Sequence, residues 1–339
     1  MSEKRKIRIA LDAMGGDFAP LNEVQGAKLA YNLKKDAIDL EIILVGDEAK
    51  INNAIANTPD FNINYRIVHT TEVVTMEDDA SAAIKKKKDS SLAVGVNLHK
   101  NGEAEAFCSA GNTGAVMSTG TILLGRINGV SRPTIGSFFP TSKDLPCLVV
   151  DVGANVDCKP RFLYEFAVMG SIYYSQIYNI KNPTIGLLNV GEEESKGNVA
   201  AYEANELLRN SNLNFIGNVE GRDILLGNSD IVICDGFIGN IVLKFAESVF
   251  SFLKIKFKAF ADKGILNKLM MGIFQPILKN IFKDFDYQKY GGLPLLGVNG
   301  VVIIGHGKST PVAIQNMILK AIEVVELDVN KKIEIALNS

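Results

Sequence analysis

The sequence has no tryptophan, only three histidines and only four cysteines in 339 residues. The cysteines lie far apart and form no Cys-x-x-Cys pair, so neither a zinc site nor a disulfide framework is indicated. A formal net charge of −2 disfavours nucleic-acid binding, which needs a broad basic field. No apolar run approaches the roughly 20 uninterrupted residues of a transmembrane helix. These absences predict a cytoplasmic protein with free thiols, no metal or cofactor, and no nucleic-acid partner.

Short apolar runs alternate with helical periodicity, which predicts an α/β fold with a mostly parallel central sheet. The predicted strands are Lys6–Asp12, Glu41–Gly46, Ile63–His69, Ala106–Cys108, Cys147–Asp151, Thr184–Asn189, Phe215–Gly217, Ile231–Cys234 and Val301–Gly305. Two of the predicted helices are Asn240–Lys258 and Val312–Glu334. Because no repeat or Pro/Ser-rich linker interrupts the chain, a single domain over residues 1–339 is expected. Doubly wound sheets bind ligands in the loops that follow their strands.

One such loop, Ser109–Ala115 (SAGNTGA), follows a short strand and opens a helix. Its glycines let the backbone approach a ligand, and free amides at a helix N-terminus favour an anion. The candidate phosphate or substrate ligands in this loop are Ser109, Gly111, Asn112, Thr113 and Gly114. The alternative is an ordinary strand–helix turn with a capping side chain, and the spacing alone supports both interpretations equally.

A second loop, Cys234–Asn240 (CDGFIGN), also lies between a strand and a helix. Asp235 is placed to accept a proton or orient a ligand, and Lys244 to point back toward a phosphate from the next helix turn. We take Asp235, Asn240 and Lys244 as candidate catalytic residues. The alternative is that Asp235 caps the helix and that Lys244 is a solvated surface charge.

Three further loops mix glycines with acidic or amide groups: Asp12–Asp17, Asp151–Asn155 and Asn189–Gly197. The candidate substrate ligands that they contribute are Asp12, Gly15, Gly16 and Asn155. Several such loops at the same edge of one sheet would form a polar cleft. Acidic oxygens also suit magnesium, but a solvated charge run explains them equally well, so no metal is predicted.

The last polar segment begins with the glycine-rich stretch Tyr290–Gly300 and continues to His306. So many glycines around an apolar centre predict a close-packed loop. His306 is a candidate to bind phosphate or to protonate a leaving group. The alternative for a lone histidine after a strand is a structural role.

Seven motifs in a fixed order closely resemble those of the bacterial PlsX-type phosphate acyltransferases: IALDAMGGD, SAGNTGA, DVGANVDCKP, FAVMGSIY, NVGEEESKGN, CDGFIGN and YGGLPLLGVNG. The resemblance runs from about Ile7 to the final helix. It implies a homodimer and a three-layer α/β/α sandwich, similar to phosphotransacetylases and isopropylmalate dehydrogenases. The sequence departs from the family pattern at Lys308, where a serine is expected.

The resemblance also implies a reaction, in which a fatty acyl group moves from acyl-[acyl carrier protein] to inorganic phosphate. The acyl phosphate would feed phospholipid synthesis through a membrane glycerol-3-phosphate acyltransferase. Since phosphate is the nucleophile, no protein nucleophile is needed, and Cys108 is predicted to be buried packing. Loop Ser109–Gly114 is expected to supply phosphate or oxyanion donors. Asp235 resembles the aspartate that follows a strand in phosphotransacetylases, so we expect it to orient phosphate or take its proton.

Four consecutive lysines, Lys85, Lys86, Lys87 and Lys88, form the densest run of positive charge. Acyl carrier proteins are strongly acidic, so a docking site for them should be basic. The resemblance includes a basic run at this place. The sequence therefore favours carrier docking here, with a solvated helix end as the alternative.

The segment 254–283 holds seven lysines and one aspartate among bulky apolar side chains. This composition suits an anionic membrane surface, and the predicted contacts are Leu269, Met270 and Phe274. Gly264 and Pro276 are expected to break a helical hairpin at about 250–286 into short helices. A hairpin that packs in a dimer is the alternative, and both can hold together. The localisation predicted is cytoplasmic with peripheral membrane association.

Two rival functions remain at this point. A phosphotransacetylase acting on acyl-CoA would also use a basic patch, which would then bind the phosphates of coenzyme A. A non-catalytic membrane scaffold for acyl carrier protein would need the lysines but not the intact SAGNTGA and CDGFIGN loops. A nicotinamide dehydrogenase is disfavoured, because the glycine fingerprint of the dinucleotide site is missing.

Overall fold

Strands and helices alternate along most of the chain. The computed structural model describes residues 4–281 and 291–338. The strands are β1 (Lys6–Asp12), β2 (Asp39–Gly46), β3 (Tyr65–His69), β4 (Ala106–Ser109), β5 (Thr134–Phe139), β6 (Cys147–Val150), β7 (Ile185–Leu188), β8 (Phe215–Val219), β9 (Ile231–Ile233), β10 (Leu293–Leu296) and β11 (Val302–Ile304). The helices are α1 (Leu21–Lys34), α2 (Glu48–Ala56), α3 (Ala80–Lys86), α4 (Ser91–Lys100), α5 (Thr113–Leu124), α6 (Pro160–Tyr178), α7 (Val199–Arg209), α8 (Gly221–Leu226), α9 (Gly236–Ala261), α10 (Ile265–Ile281), α11 (Pro311–Glu326) and α12 (Val329–Asn338).

The described strands form one 11-stranded sheet in the order β3-β2-β1-β4-β11-β10-β5-β6-β9-β7-β8. Strands β1, β2, β3, β4 and β11 are mutually parallel and make up what we call the first half. Strands β6, β7, β8 and β9 are also mutually parallel and make up the second half. Between the halves, β10 is antiparallel to both of its neighbours, and β5 is antiparallel to β6. The two halves therefore run in opposite directions.

The sheet is apolar on both faces, and helices cover both. In β1, Ile7, Ile9 and Leu11 face one core cluster, together with residues of α1 and α11. Ala10 faces the other cluster, together with residues of α4 and α5. This alternation with a period of two residues is what a strand buried on both faces requires. The result is a three-layer α/β/α arrangement, as expected.

Strands β5 and β10, which join the two halves, are not predicted by the sequence pattern. Strand β10 contains Pro294, and proline normally argues against a strand inside a sheet because it lacks an amide donor. The segment was expected to be a glycine-rich loop, and its residue Tyr290 lies outside the described residues. Residues Leu293 and Pro294 pair with β11, whereas Leu295 and Leu296 pair with β5.

Three helix boundaries differ from the sequence-based expectation. Helix α9 begins at Gly236 rather than at Asn240. The expected helix Val312–Glu334 is two helices, α11 and α12, which are separated at Asp328 with a left-handed φ of 49°. Helix α10 continues through Pro276, because an internal proline can kink a helix without ending it.

Helices α9 and α10 pack against each other and bury little of their own surface. In α9, Gly236 and Gly239 are the buried residues. By length and composition α9 could cross a membrane, although Lys244 and Glu247 interrupt it; core helices and signal sequences can share that property. Residues 282–286 of the expected hairpin lie outside the described residues.

The strand directions correct one expectation about the polar loops. Because the halves run in opposite directions, the loops after β1, β4 and β11 lie at one edge of the sheet. The loops after β6, β7 and β9 lie at the other edge. The polar loops therefore do not share a single edge, and they form two separate clusters.

Candidate active site

The loops after β1 and β4 are joined by a buried chain of hydrogen bonds. The Ser109 hydroxyl donates to the Asp12 carboxylate at 2.7 Å, and the Gly111 amide donates to the Ser109 oxygen at 3.1 Å. Asp12 also accepts from the Met14 amide at 3.1 Å and from the Ser91 hydroxyl. Asp12 and Ser109 are 3% and 0% exposed. These two side chains shape the loops from within and do not face an open site.

Close backbone contact brings three loops together at this edge. A Cβ atom on Gly15 would lie 2.6 Å from the Asp12 carboxylate and 2.9 Å from the Gly111 nitrogen, so only glycine fits there. The Gly305 amide donates to the Ser109 carbonyl at 2.8 Å, and the Asp17 amide donates to the Gly307 carbonyl at 2.8 Å. We call the three joined loops, 12–17, 109–114 and 305–309, the glycine corner.

Helix α5 starts in the glycine corner. Its cap, Asn112, accepts from the Ala115 amide and donates to the carbonyls of Thr75, Met76 and Asp78. The Asn112 side chain therefore ties the start of α5 to a neighbouring loop, and its role as a ligand stays a prediction. Within the described part of the chain, the amides of Thr113 and Gly114 have no hydrogen-bond partner, as expected for the first turn of a helix. Exposed Thr113 adds a hydroxyl.

His306 lies at the exposed side of the glycine corner. Its Nδ1 atom accepts from the Lys308 amide at 3.1 Å, and its carbonyl accepts from the Ser309 amide at 2.8 Å. In the neutral ring an accepting Nδ1 assigns the proton to Nε2, so that atom is a donor. The side chain of Lys308 is exposed next to it and carries a positive charge.

Glu23, in the first turn of α1, belongs to the glycine corner although the sequence analysis does not select it. It is 1% exposed and accepts from the Gly16 amide. Burial, reinforced by the neighbouring Asp12, raises the pKa of Glu23 to about 8. A glutamate near the start of a helix is common, so its sequence position gave no signal of burial.

The loops of the second cluster are also joined by hydrogen bonds, but they lie at the opposite edge of the sheet. The Asp151 carboxylate accepts from the amides of Gly153, Ala154 and Asn155. The Asn155 side chain donates both of its N–H groups, to Asp151 and to the Pro133 carbonyl. Asn155 therefore holds the loop after β6 to the start of β5, and its role as a substrate ligand stays a prediction.

Asp235 and Asn240 belong to this second cluster. The Asp235 carboxylate accepts from the Ile238 amide at 2.8 Å and caps α9, as the alternative interpretation expected. A Cβ atom on Gly153 would lie 3.6 Å from the Asn240 side chain. Lys244 is exposed more than two turns into α9. The sheet does not bring Asp235, Asn240 or Lys244 to the glycine corner, and their catalytic role stays a prediction.

The acidic run in the loop after β7 is paired with arginines. Glu192 lies 3.1 Å from Arg222, and Glu194 lies 2.7 Å from Arg209. These pairs explain the run as surface charge. Among residues 4–281 and 291–338, no group of three His, Cys, Asp or Glu side chains is placed to hold a metal ion.

Comparison with known proteins identifies the family. A family model described as fatty acid synthesis protein matches residues 7–332. The phosphate acyltransferase of Dictyoglomus turgidum is 44% identical over 337 residues, covering 98% of each chain. That of Halothermothrix orenii is 46% identical over 331 residues, covering 96% of each chain. The chain belongs to the PlsX family of phosphate acyltransferases. It is an acyltransferase, as the resemblance implies.

Solved structures of related enzymes confirm the fold class. A phosphotransacetylase from Streptococcus pyogenes aligns with 100% of this chain and 96% of its own, with a TM-score of 0.58 at 18% identity. A branched-chain phosphotransacylase from Enterococcus faecalis V583 covers 94% of this chain and 99% of its own, with a TM-score of 0.56 at 14% identity. The predicted phosphotransacetylase-like α/β fold is therefore confirmed.

The cysteines of this acyltransferase are poor nucleophiles. Cys108, Cys147 and Cys234 are buried, and burial raises the pKa of each thiol. Cys158 is partly buried, and burial raises its pKa to about 12. All four thiols keep their protons at neutral pH. The expectation that Cys108 is buried packing is confirmed.

Of the four consecutive lysines at the end of α3, three are exposed and one is bonded to a neighbouring loop. Lys85, Lys86 and Lys88 are exposed. Lys87 instead donates to the Asp78 carboxylate at 2.5 Å and to the Val73 carbonyl at 2.8 Å. This ion pair lowers the pKa of Asp78. Lys87 therefore fixes the loop that Asn112 also holds, and the exposed lysines adjoin that loop.

Replacing Ser109 by alanine is expected to lower the free energy of unfolding by about 1–3 kcal/mol, because buried groups of Asp12 and Gly111 lose a partner. Urea unfolding measures the difference. The matched control is Ser248→Ala, which removes an exposed hydroxyl that donates to the Phe245 carbonyl and should change stability by less than about 0.5 kcal/mol. Equal losses in the two variants would contradict the structural role of Ser109.

Proposed function

We propose that this protein transfers a fatty acyl group from acyl-[acyl carrier protein] to inorganic phosphate. A phosphate oxygen attacks the thioester carbonyl carbon, and the carbon–sulfur bond breaks. The carrier leaves as a thiolate that takes up the proton released by phosphate. The products are acyl phosphate and carrier thiol, and acyl phosphate is an activated acyl donor for phospholipid synthesis.

The observation that carries this proposal is the glycine corner. Asp12, Ser109 and Gly15 fix the backbone from inside, and the unpaired amides of Thr113 and Gly114 remain for an anion. Backbone amides at a helix N-terminus form a site suited to phosphate. Exposed Lys308 adds positive charge in the adjoining loop, where its amide is bonded to His306.

The chemistry suits a protein without a nucleophile of its own. Phosphate attacks directly, and a thiol leaving group, with a pKa of about 8.5, needs little acid assistance. The protein has to orient phosphate against the carbonyl, and orientation alone contributes on the order of 7–11 kcal/mol. Donors fixed before the reaction can also stabilise the oxyanion that develops. We assign both tasks to the amides of loop 109–114.

Asp235, Asn240 and Lys244 remain proposed catalytic residues on the strength of the family motif. The Asp235 carboxylate keeps one oxygen committed to the α9 cap. Since the second cluster lies at the opposite edge of the sheet from the glycine corner, a role for Asp235 in the same step needs both clusters to reach one substrate. We therefore place phosphate at the glycine corner and keep Asp235 as a secondary candidate.

We further propose that acyl carrier protein docks on Lys85, Lys86 and Lys88. These exposed lysines adjoin the loop 75–78, which Asn112 ties to the phosphate-binding loop. An acidic carrier bound there would deliver its thioester next to the glycine corner.

The helix pair α9 and α10 is proposed to serve a homodimer and a membrane surface. Leu269, Met270 and Phe274 are 61%, 41% and 50% exposed, and lysines lie between the apolar positions. Such a surface suits anionic lipid headgroups. We propose a cytoplasmic protein that touches the membrane, where a membrane glycerol-3-phosphate acyltransferase could receive the acyl phosphate.

The direct test is release of carrier thiol from a long-chain acyl carrier protein. We expect release that depends on added phosphate, together with acyl phosphate detected as its hydroxamate. The same assay with long-chain acyl-CoA separates a phosphotransacetylase from the proposed enzyme. A clear preference for acyl-CoA would overturn the proposed donor, and no release from either thioester would favour a scaffold.

Reversing the charge of Lys86 and Lys88 together to glutamate is expected to raise the Michaelis constant for acyl carrier protein several-fold at low salt, because the carrier is acidic. The difference should shrink as salt screens the charges. The matched control is Lys331→Glu with Lys332→Glu, on exposed residues of α12. Equal effects of the two pairs would refute docking on α3.

Flotation with anionic liposomes tests the membrane contact. The wild type is expected to float, and Leu269→Glu with Phe274→Glu is expected to stay in the dense fraction, because each change places a charge at the lipid boundary. The control is Val190→Glu with Ile335→Glu, which replaces apolar residues outside the helix pair that are at least as exposed on average. Membrane contact is refuted when the wild type fails to float or both double variants behave alike.

A further inference from the structure

Two buried carboxyl groups flank the loop Met14–Gly16 in the glycine corner. Asp12 accepts from the Met14 amide, and Glu23 accepts from the Gly16 amide. Both groups are almost fully buried, with exposed fractions of 3% and 1%. The two acceptors therefore hold the Met14 amide at one end of this loop and the Gly16 amide at the other.

The two carboxyls differ in the number of donors that they face. Asp12 receives hydrogen bonds from Met14, Ser109 and Ser91. Glu23 accepts from its own amide and from the Gly16 amide, and its Oε2 atom has no partner among the residues described. An ionised oxygen buried without a donor is costly, and two neighbouring buried carboxyls do not ionise together. The arrangement assigns the negative charge to Asp12 and the proton to Glu23.

The charged group that acts on Glu23 is Asp12, which carries a charge of the same sign. Asp17, His306 and Lys308 lie in the two loops that meet at Gly16 and Gly307. Where α11 packs on the first turns of α1, it presents apolar side chains. Burial first, and then Asp12, raise the pKa of Glu23 to about 8.

We infer that Glu23 is a positioning residue that must keep its proton for phosphate to bind in the glycine corner. The uncharged carboxyl holds the Gly16 amide without adding charge. Its ionised form would place a second buried negative charge beside an incoming dianion, and like charges repel strongly away from water. This inference rests on the proposed phosphate site but concerns a residue outside the family motifs quoted above.

The inference predicts that the affinity for phosphate falls as the pH rises and Glu23 ionises. Glu23 is protonated well below pH 8 and ionised well above it. If the protonated form alone binds phosphate, the apparent affinity is multiplied by the protonated fraction. That fraction falls about tenfold between pH 7 and pH 9 for a group with this pKa. Phosphate itself becomes more dianionic over the same range, which would by itself favour binding, so the two effects are separable.

The test measures the Michaelis constant for inorganic phosphate at pH 7 and pH 9 in the wild type and in Glu23→Gln. Glutamine keeps the acceptor for Gly16 and cannot ionise. We expect the constant of the wild type to rise about tenfold more than that of the variant, while their values at pH 7 stay close. Parallel pH profiles of the two proteins would overturn the inference.

The matched control is Glu203→Gln, which neutralises an exposed carboxyl on α7 and should keep the profile of the wild type. A flattened profile in this control as well would overturn the assignment to Glu23, because the effect would then follow net charge.

A second measurement needs neither the variant nor turnover. In thermal unfolding of the wild type, the increase in Tm caused by added phosphate is expected to shrink from pH 7 to pH 9. An equal or larger increase at pH 9 would overturn the inference. If phosphate stabilises the protein with this pH dependence but no acyl thioester is cleaved, the proposed reaction fails while the inference about Glu23 stands.

Discussion

The four residues of β10 determine where chemistry can occur in this protein. The first two pair with β11 and the last two with β5, both antiparallel, so each half of the sheet meets the other through a narrow ladder. These two pairings alone would leave β5 parallel to β11, and the third antiparallel pairing, of β5 with β6, makes the second half run opposite to the first. Because loops with free amides and polar side chains follow the ends of parallel strands, this reversal sends them to opposite edges. Two separate polar clusters result.

At the edge of the first half, buried side chains shape a backbone surface whose free amides suit an anion. Asp12, Ser109 and Asn112 carry conspicuous polar groups, and all three are committed to neighbouring backbone or side chains. What remains for a substrate is the backbone itself, at the start of α5. Side chains that fix the loops and backbone amides that bind the ligand suit phosphate, since a fixed set of amides needs no rearrangement during the reaction.

The proposed carrier site and the proposed phosphate site are joined through one segment of the chain, residues 75–88. Lys87 pairs with Asp78, and Asn112 holds the carbonyl of the same residue. The exposed neighbours of Lys87 therefore sit on a segment whose other side is fixed by the phosphate-binding loop. Helices α9 and α10 carry a separate surface of exposed apolar and basic side chains. The sites proposed for acyl carrier protein, phosphate and the membrane thus lie on separate structural elements.

The sequence by itself determined the α/β class, the family and the positions of nearly all parallel strands, because apolar periodicity and glycine-rich strand ends are local signals. It also located the loops of the glycine corner. Local signals could not reveal β10, because Pro294 argues against an internal strand until its two neighbours are known. Tertiary structure alone decided that Ser109 is buried and that Asn112 and Asn155 are bonded to neighbouring loops. It alone placed Glu23 beside Asp12, because burial and pairing of a carboxyl depend on residues distant in sequence.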